Sequence, residues 1–127
     1  MAEREKSAYQ RMTMPVLSIG RDRPLMLVRQ RAMDGAGIPV RSLTPEQAER
    51  YVRDGEPRIW VLCASIELVT LLFLACGIRR YSPVSRLVLL EHTAEPGIES
   101  SLFHRVLDVD APPQELVTVV NGYRQTA

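Results

Sequence analysis

The chain has 127 residues, of which 46% are apolar and 24% charged. That length supports one domain with a real hydrophobic core, and the composition excludes an intrinsically disordered protein. Sixteen basic against fifteen acidic side chains leave almost no net field, which excludes a sequence-wide attraction to nucleic acid or to an anionic membrane surface.

The opening, Met1 to Ser7, is polar and of mixed charge. It lacks the apolar run of a signal peptide, so a cytoplasmic location is expected. Residues 1–13 read as an N-terminal extension, and 14–127 as a single domain. Pro15 to Ile19 reads as a short strand closed by Gly20. Asp22 is placed to cap the helix that follows, with Pro24 in its first turn. Leu25, Leu27, Val28 and Ala32 are its expected buried side, and Gly35-Ala36-Gly37 stops it. Ile38 to Leu43 reads as a second strand, which Pro39 assigns to a sheet edge because proline cannot donate to a ladder.

Thr44-Pro45-Glu46-Gln47 is a helix start in which threonine caps and Gln47 completes a capping box. That helix is expected to end near Asp54-Gly55. Arg58 to Cys63 is nearly all apolar, as suits a central strand covered on both faces. Ser65 is a candidate cap for a third helix running to Ile78. The stretch Ile59 to Ile78 also has the length of a membrane span. Glu67 would then lie deep in the bilayer, and the stretch divides naturally into a strand and a helix, so no membrane association is expected.

Arg86 to Leu90 reads as a fourth strand, Thr93 to Phe103 as a segment with a short, late helix, and Val106-Leu107 with Val109 as a fifth strand. Pro112-Pro113-Gln114-Glu115 opens the last helix, where Leu116, Val119, Val120 and Tyr123 recur at helical spacing. Alternating strands and helices predict an α/β fold: a flavodoxin-like, doubly wound parallel sheet of five strands in the order 2-1-3-4-5, with helices on both faces.

The ordered echoes Val-Leu-Ser-Ile at 16–19, Gly-Ala-Gly-Ile-Pro-Val at 35–40, Pro-Arg-Ile-Trp-Val-Leu at 57–62 and Pro-Pro-Gln-Glu-Leu at 112–116 carry a resemblance over residues 14–124. In them the chain resembles the receiver domain of two-component response regulators. The resemblance implies cytoplasmic signalling, and it implies a phosphorylation site at the strand ends. That site needs an acidic pair after strand one, an acceptor aspartate ending strand three, a hydroxyl after strand four and a lysine after strand five. Those positions fall here on Gly20 and Arg21, on Cys63, on Glu91 or its neighbour Leu90, and on Val109. Magnesium requires hard oxygen ligands, which a cysteine and an arginine do not supply. The expectation is a degenerate receiver that is not phosphorylated, is not an enzyme, holds no cofactor or metal, and works by contact with protein partners.

A second reading is a small enzyme or anion-binding domain using a strand-end pocket around Arg21, Cys63, Glu91 and His92. Catalysis by Cys63 would need exposure and a positioned base. Cys63 and Cys76 both stand in apolar runs and are expected to be buried free thiols that react slowly. His92 and His104 lack a second ligand at metal-binding spacing.

The third helix is apolar nearly all round. With Val69, Leu72, Phe73 and Cys76 turned inward, Leu71, Leu74 and Ile78 become an exposed stripe and a candidate interface for a homodimer.

Overall fold

The computed structural model describes residues 14–92 and 100–125. The expected N-terminal extension and the first part of the Thr93 to Phe103 segment, 93–99, lie outside them. Five strands, β1 (Val16–Ile19), β2 (Val40–Leu43), β3 (Ile59–Cys63), β4 (Arg86–Glu91) and β5 (Arg105–Asp108), form one sheet in the order β2-β1-β3-β4-β5. Every pairing is parallel, with Val16 opposite both Val40 and Ile59, Trp60 opposite Leu87, and Leu90 opposite Leu107. The helices are α1 (Arg23–Gly35), α2 (Pro45–Val52), α3 (Leu68–Tyr81) and α4 (Pro113–Gln125), with one 3-10 turn at Ser100–Leu102.

Local chemistry sets the boundaries. Asp22 accepts from the Leu25 N–H at 3.3 Å and caps α1, while Gly37 takes the left-handed backbone (φ +75°) that its end requires. Thr44 and Gln47 form the full reciprocal capping box of α2, at 3.2 and 3.0 Å. β2 is the half-exposed edge that Pro39 foretells. The Pro39 carbonyl still accepts from Val16, because proline lacks only the donor.

Alternation along the strands sends successive side chains to opposite faces. Leu17, Ile19, Trp60, Leu62, Leu87 and Leu89 face α2 and α3, whereas Val16, Ile59, Val61, Val88 and Leu90 face α1 and α4. The Ile59 to Ile78 stretch resolves into β3 and part of α3, and no helix among the described residues is long and apolar enough to cross a membrane.

Three side-chain expectations are corrected. On α1 the buried side is Met26, Arg29 and Met33, while Leu27 and Val28 are exposed. On α3 the inner stripe is Leu71, Leu74, Ala75 and Ile78, so the candidate interface residues Leu71, Leu74 and Ile78 belong to the core. Val69, at 80% exposure, and Phe73, at 59%, face outward instead, and Cys76 is exposed with them. α3 also starts later than its Ser65 cap predicted. Ser65 Oγ accepts from the Arg21 N–H at 2.9 Å, and Glu67 becomes the N-cap without a side-chain hydrogen bond.

Candidate functional site

In open parallel sheets the chemistry lies at the carboxyl ends of the strands. The backbone there is rigidly placed, because the hydrogen-bond ladder continues past the strands. The Gly20 N–H donates to Leu43, that of Ala64 to Leu90 and that of Val109 to Glu91, at 2.8–3.2 Å.

Gly20, Cys63 and Val109 do converge, but on a filled space. A Cβ placed on Gly20 would meet Cys63 Cβ at 3.1 Å, Met26 Sδ at 3.2 Å and Ser65 Oγ at 3.2 Å. No carboxylate fits at that position without displacing its neighbours. Cys63 is 3% exposed, on the α1 side of the sheet. The guanidinium of Arg29, itself only 6% exposed, reaches in from α1. Its Nη1 donates to Cys63 Sγ at 3.7 Å and its Nη2 to the Val109 carbonyl at 3.2 Å. At the end of β3 this chain packs a thiol under a buried cation.

Arg29 was missed in the sequence reading. Its signal is positional: Met26, Arg29 and Met33 recur at i, i+3 and i+7, a core-facing stripe with one charged member. The neighbouring Leu25, Leu27 and Val28 obscured it, because they extend the apolar surface of α1 well around the helix.

Arg21 points away from this space. It pairs with Glu46 at 2.7 Å and with Glu67 at 2.6 Å, tying together the N-terminal ends of α2 and α3. Its hydrogen bonds to Glu46, and then to Glu67, push its pKa further up, and the same contacts hold both glutamates below their ordinary 4.5. Arg21 is therefore engaged by carboxylates rather than free for a bound anion.

The pocket of the second reading is not assembled. Glu91 is buried, but alternation sends its side chain to the sheet face opposite Cys63. His92 is exposed, whereas Cys63 is buried. His104 serves structure, since its Nδ1 accepts from the Leu87 N–H at 3.0 Å while its backbone N–H donates to the Leu87 carbonyl at 2.9 Å. Burial, with Arg86 and Arg79 nearby, lowers its pKa below 6.5 and keeps that acceptor nitrogen unprotonated.

Magnesium, which the receiver resemblance implies, does not fit the donors present. The strand-end positions offer a glycine, an ion-paired arginine and a thiol, and Asp22 is held as the α1 cap. Among the described residues no three His, Cys, Asp or Glu side chains converge on a metal position.

A second region offers a surface instead of a site. The parallel helices α2 and α3 flank a groove of about 1040 Å³, with Val69, Leu72, Phe73 and Cys76 along one side. The helices close on each other at one end, where a Cβ on Gly77 would stand 2.8 Å from Val52 Cγ1.

No protein-family model matches the chain, and no curated protein matches its sequence. Solved structures do match it in shape. The CheY-like receiver domain protein from Methanospirillum hungatei superposes with a TM-score of 0.74 at 10% identity, covering 89% of this chain and 94% of that one. The chemotaxis response regulator CheY4 of Vibrio cholerae gives 0.73 at 11% identity, over 87% and 98%. A chain of the adenylate cyclase from Rhodopirellula baltica gives 0.67 at 15% identity, over 87% of each. The fold of this chain is that of the CheY-like response-regulator receiver domains.

Proposed function

We propose that the protein is a non-phosphorylated pseudo-receiver, a cytoplasmic regulatory or scaffolding module of a signalling system that acts through protein–protein contact. The observation that carries this reading is the placement of Arg29 against Cys63 and the Val109 carbonyl, beside a Gly20 whose Cβ would crowd Cys63, Met26 and Ser65. Phosphoryl transfer to a receiver draws on a carboxylate nucleophile and on cations arranged around the developing phosphoryl charge. Here the acceptor position is a buried thiol, and the position before it in space is occupied by packed atoms. A receiver fold stripped of that chemistry keeps its surfaces, and the outward side of α3 is apolar enough to serve as one.

The test is incubation with acetyl phosphate and Mg²⁺, read by intact mass. The wild-type protein is expected to gain no phosphoryl group. Cys63→Asp, which restores the acceptor alone, is expected to gain none either, because Gly20 and Arg21 still supply no metal ligands. A stoichiometric phosphoryl adduct on the wild type, lost on substituting one carboxylate, overturns the reading.

A further inference from the structure

We propose that the α2–α3 face binds a second copy of the same chain, about a two-fold axis lying across the two helices, so that each packs antiparallel on its counterpart. This gives the interaction reading above a surface and an occupant, and it rests on that reading for its role though not for its geometry.

The argument starts from the charge order on α2. Glu46, Glu49, Arg50 and Arg53 lie along the groove at i, i+3, i+4 and i+7, so they form one stripe. Read from either end the stripe is complementary to itself, two acids followed by two bases. An antiparallel copy brings Glu49 to the partner copy's Arg50, and Glu46 to its Arg53. A parallel copy sets like charge on like charge at every step. Within the chain, Glu46 is held by Arg21, whereas Glu49, Arg50 and Arg53 form no ion pair among the described residues.

The apolar side of the groove fits the same axis. Val69, Leu72, Phe73 and Cys76 repeat the i, i+3, i+4, i+7 spacing along α3. The tight packing of Val52 against Gly77 sets the level of the two stripes. The centre of the charge stripe, between Glu49 and Arg50, then lies level with the turn carrying Phe73 and Cys76. A two-fold axis at that level passes within about two residues of the middle of the apolar stripe, bringing Phe73 against the partner copy's Cys76 while the charges pair beside it. It also opposes the dipoles of α2 and α3 to those of their counterparts, which is favourable. Self-complementarity about a two-fold axis is what an isologous interface requires. The apolar centre is small, so the association is expected to be weak, in the micromolar range or beyond.

The test is sedimentation velocity over a concentration series, in reductant and repeated on Cys76→Ser, so that a disulfide through the exposed thiol is not read as the dimer. Wild-type protein and Cys76→Ser are expected to move from monomer to dimer as concentration rises. Phe73→Glu, at an exposed position, is expected to stay folded and monomeric. Glu49→Arg and Arg50→Glu are each expected to weaken self-association by roughly tenfold or more, through like charges set face to face. Mixed in equal amounts the two are expected to associate with each other, because every central pair is then opposite in sign.

That recovery on mixing is peculiar to a two-fold contact between copies. A wild type that stays monomeric at the highest attainable concentration overturns the proposal and leaves the face to a different protein or to residues 1–13. A dimer that survives Phe73→Glu, or a mixture no stronger than its components, overturns it as well. None of these results bears on the acetyl phosphate experiment, so a failed dimer and a failed pseudo-receiver reading are told apart.

Discussion

The carboxyl ends of the strands and the outer face of α2 and α3 make opposite use of their residues. At the end of β3 the space is filled: a Cβ on Gly20 would crowd Cys63 and Met26, and Arg29 takes the polar space beside the thiol. On the outer face, side chains suited to a core stand in water, with Phe73 59% exposed and Val69 80%. Burial of apolar area is worth about 25 cal/mol per Å², so such exposure forgoes stability that a covered face would gain. The difference separates architecture from activity. The receiver-like fold needs its sheet and helices, and it is complete here with a buried thiol and a buried arginine at the end of its central strand.

The comparison breaks most sharply between two neighbouring residues of α3. Leu74 is 1% exposed and Phe73 is 59% exposed. Leu74→Glu removes a buried leucine and leaves an unpaired charge in its place. The expected loss is about 4 kcal/mol or more, a large share of the roughly 5–15 kcal/mol that holds an ordinary domain. Phe73→Glu is expected to change stability by no more than about 0.5 kcal/mol, as surface substitutions do. Thermal or urea unfolding of the two variants checks both expectations. Equal losses would mean that α3 is rotated from the phase described here.

That phase was the least legible feature of the sequence, for a physical reason. The true inner stripe (Leu71, Leu74, Ala75, Ile78) and the outer one (Val69, Leu72, Phe73, Cys76) share the same spacing, displaced by two residues. Two residues are about 200° of helix, so hydrophobic periodicity fits both sides equally. Continuation and size distinguish them. The outer stripe runs on to the exposed Arg80, the inner one to the buried Ser82, and the inner stripe carries the small Ala75. Strand order, by contrast, was fully legible, because alternating elements of this length with short turns admit few topologies. The packing at the strand ends was only partly legible. Gly20, Cys63 and Val109 follow from strand ends the sequence delimits, but no local pattern announces that an arginine inside α1 turns into the core.

The two cysteines sharpen the comparison in reactivity, since one belongs to each region. Cys63 is 3% exposed under Arg29, and Cys76 lies open in the α2–α3 groove. Native protein is expected to take up one equivalent of a thiol reagent rapidly, at Cys76, and the second only on unfolding. The sequence suggested two slow thiols, so Cys76 is where the corrected phase of α3 changes the expectation. Labelling of Cys76→Ser isolates Cys63. A rapid reaction there would mean that the strand-end space opens on the time scale of the assay.

The smallest effect is expected where the two regions meet, at Arg21. Its ion pairs with Glu46 and Glu67 fasten the β1–α1 connection to the beginnings of α2 and α3, and all three side chains are exposed to solvent. Exposed pairs contribute little and are screened by salt. Their signature is the dependence on pH. Both glutamates titrate below their ordinary 4.5 in the folded protein, with the hydrogen bond from Arg21 the largest cause in each. A depressed carboxylate contributes stability that is present above the unfolded value and disappears as pH falls through the folded one. The contribution of this cluster is therefore expected to hold at neutral pH and to fade below about pH 4.5. His104, whose pKa is also depressed, begins to act at a higher pH, as acidity passes below its ordinary 6.5. Melting curves of wild type and Arg21→Ala between pH 7 and pH 3 separate the two. The small difference between the proteins should shrink toward zero at the acid end and shrink again in high salt, while the decline that starts near 6.5 stays common to both. A difference that persists unchanged at pH 3 would mean that Arg21 acts by packing against the Ser65 turn rather than through its carboxylates.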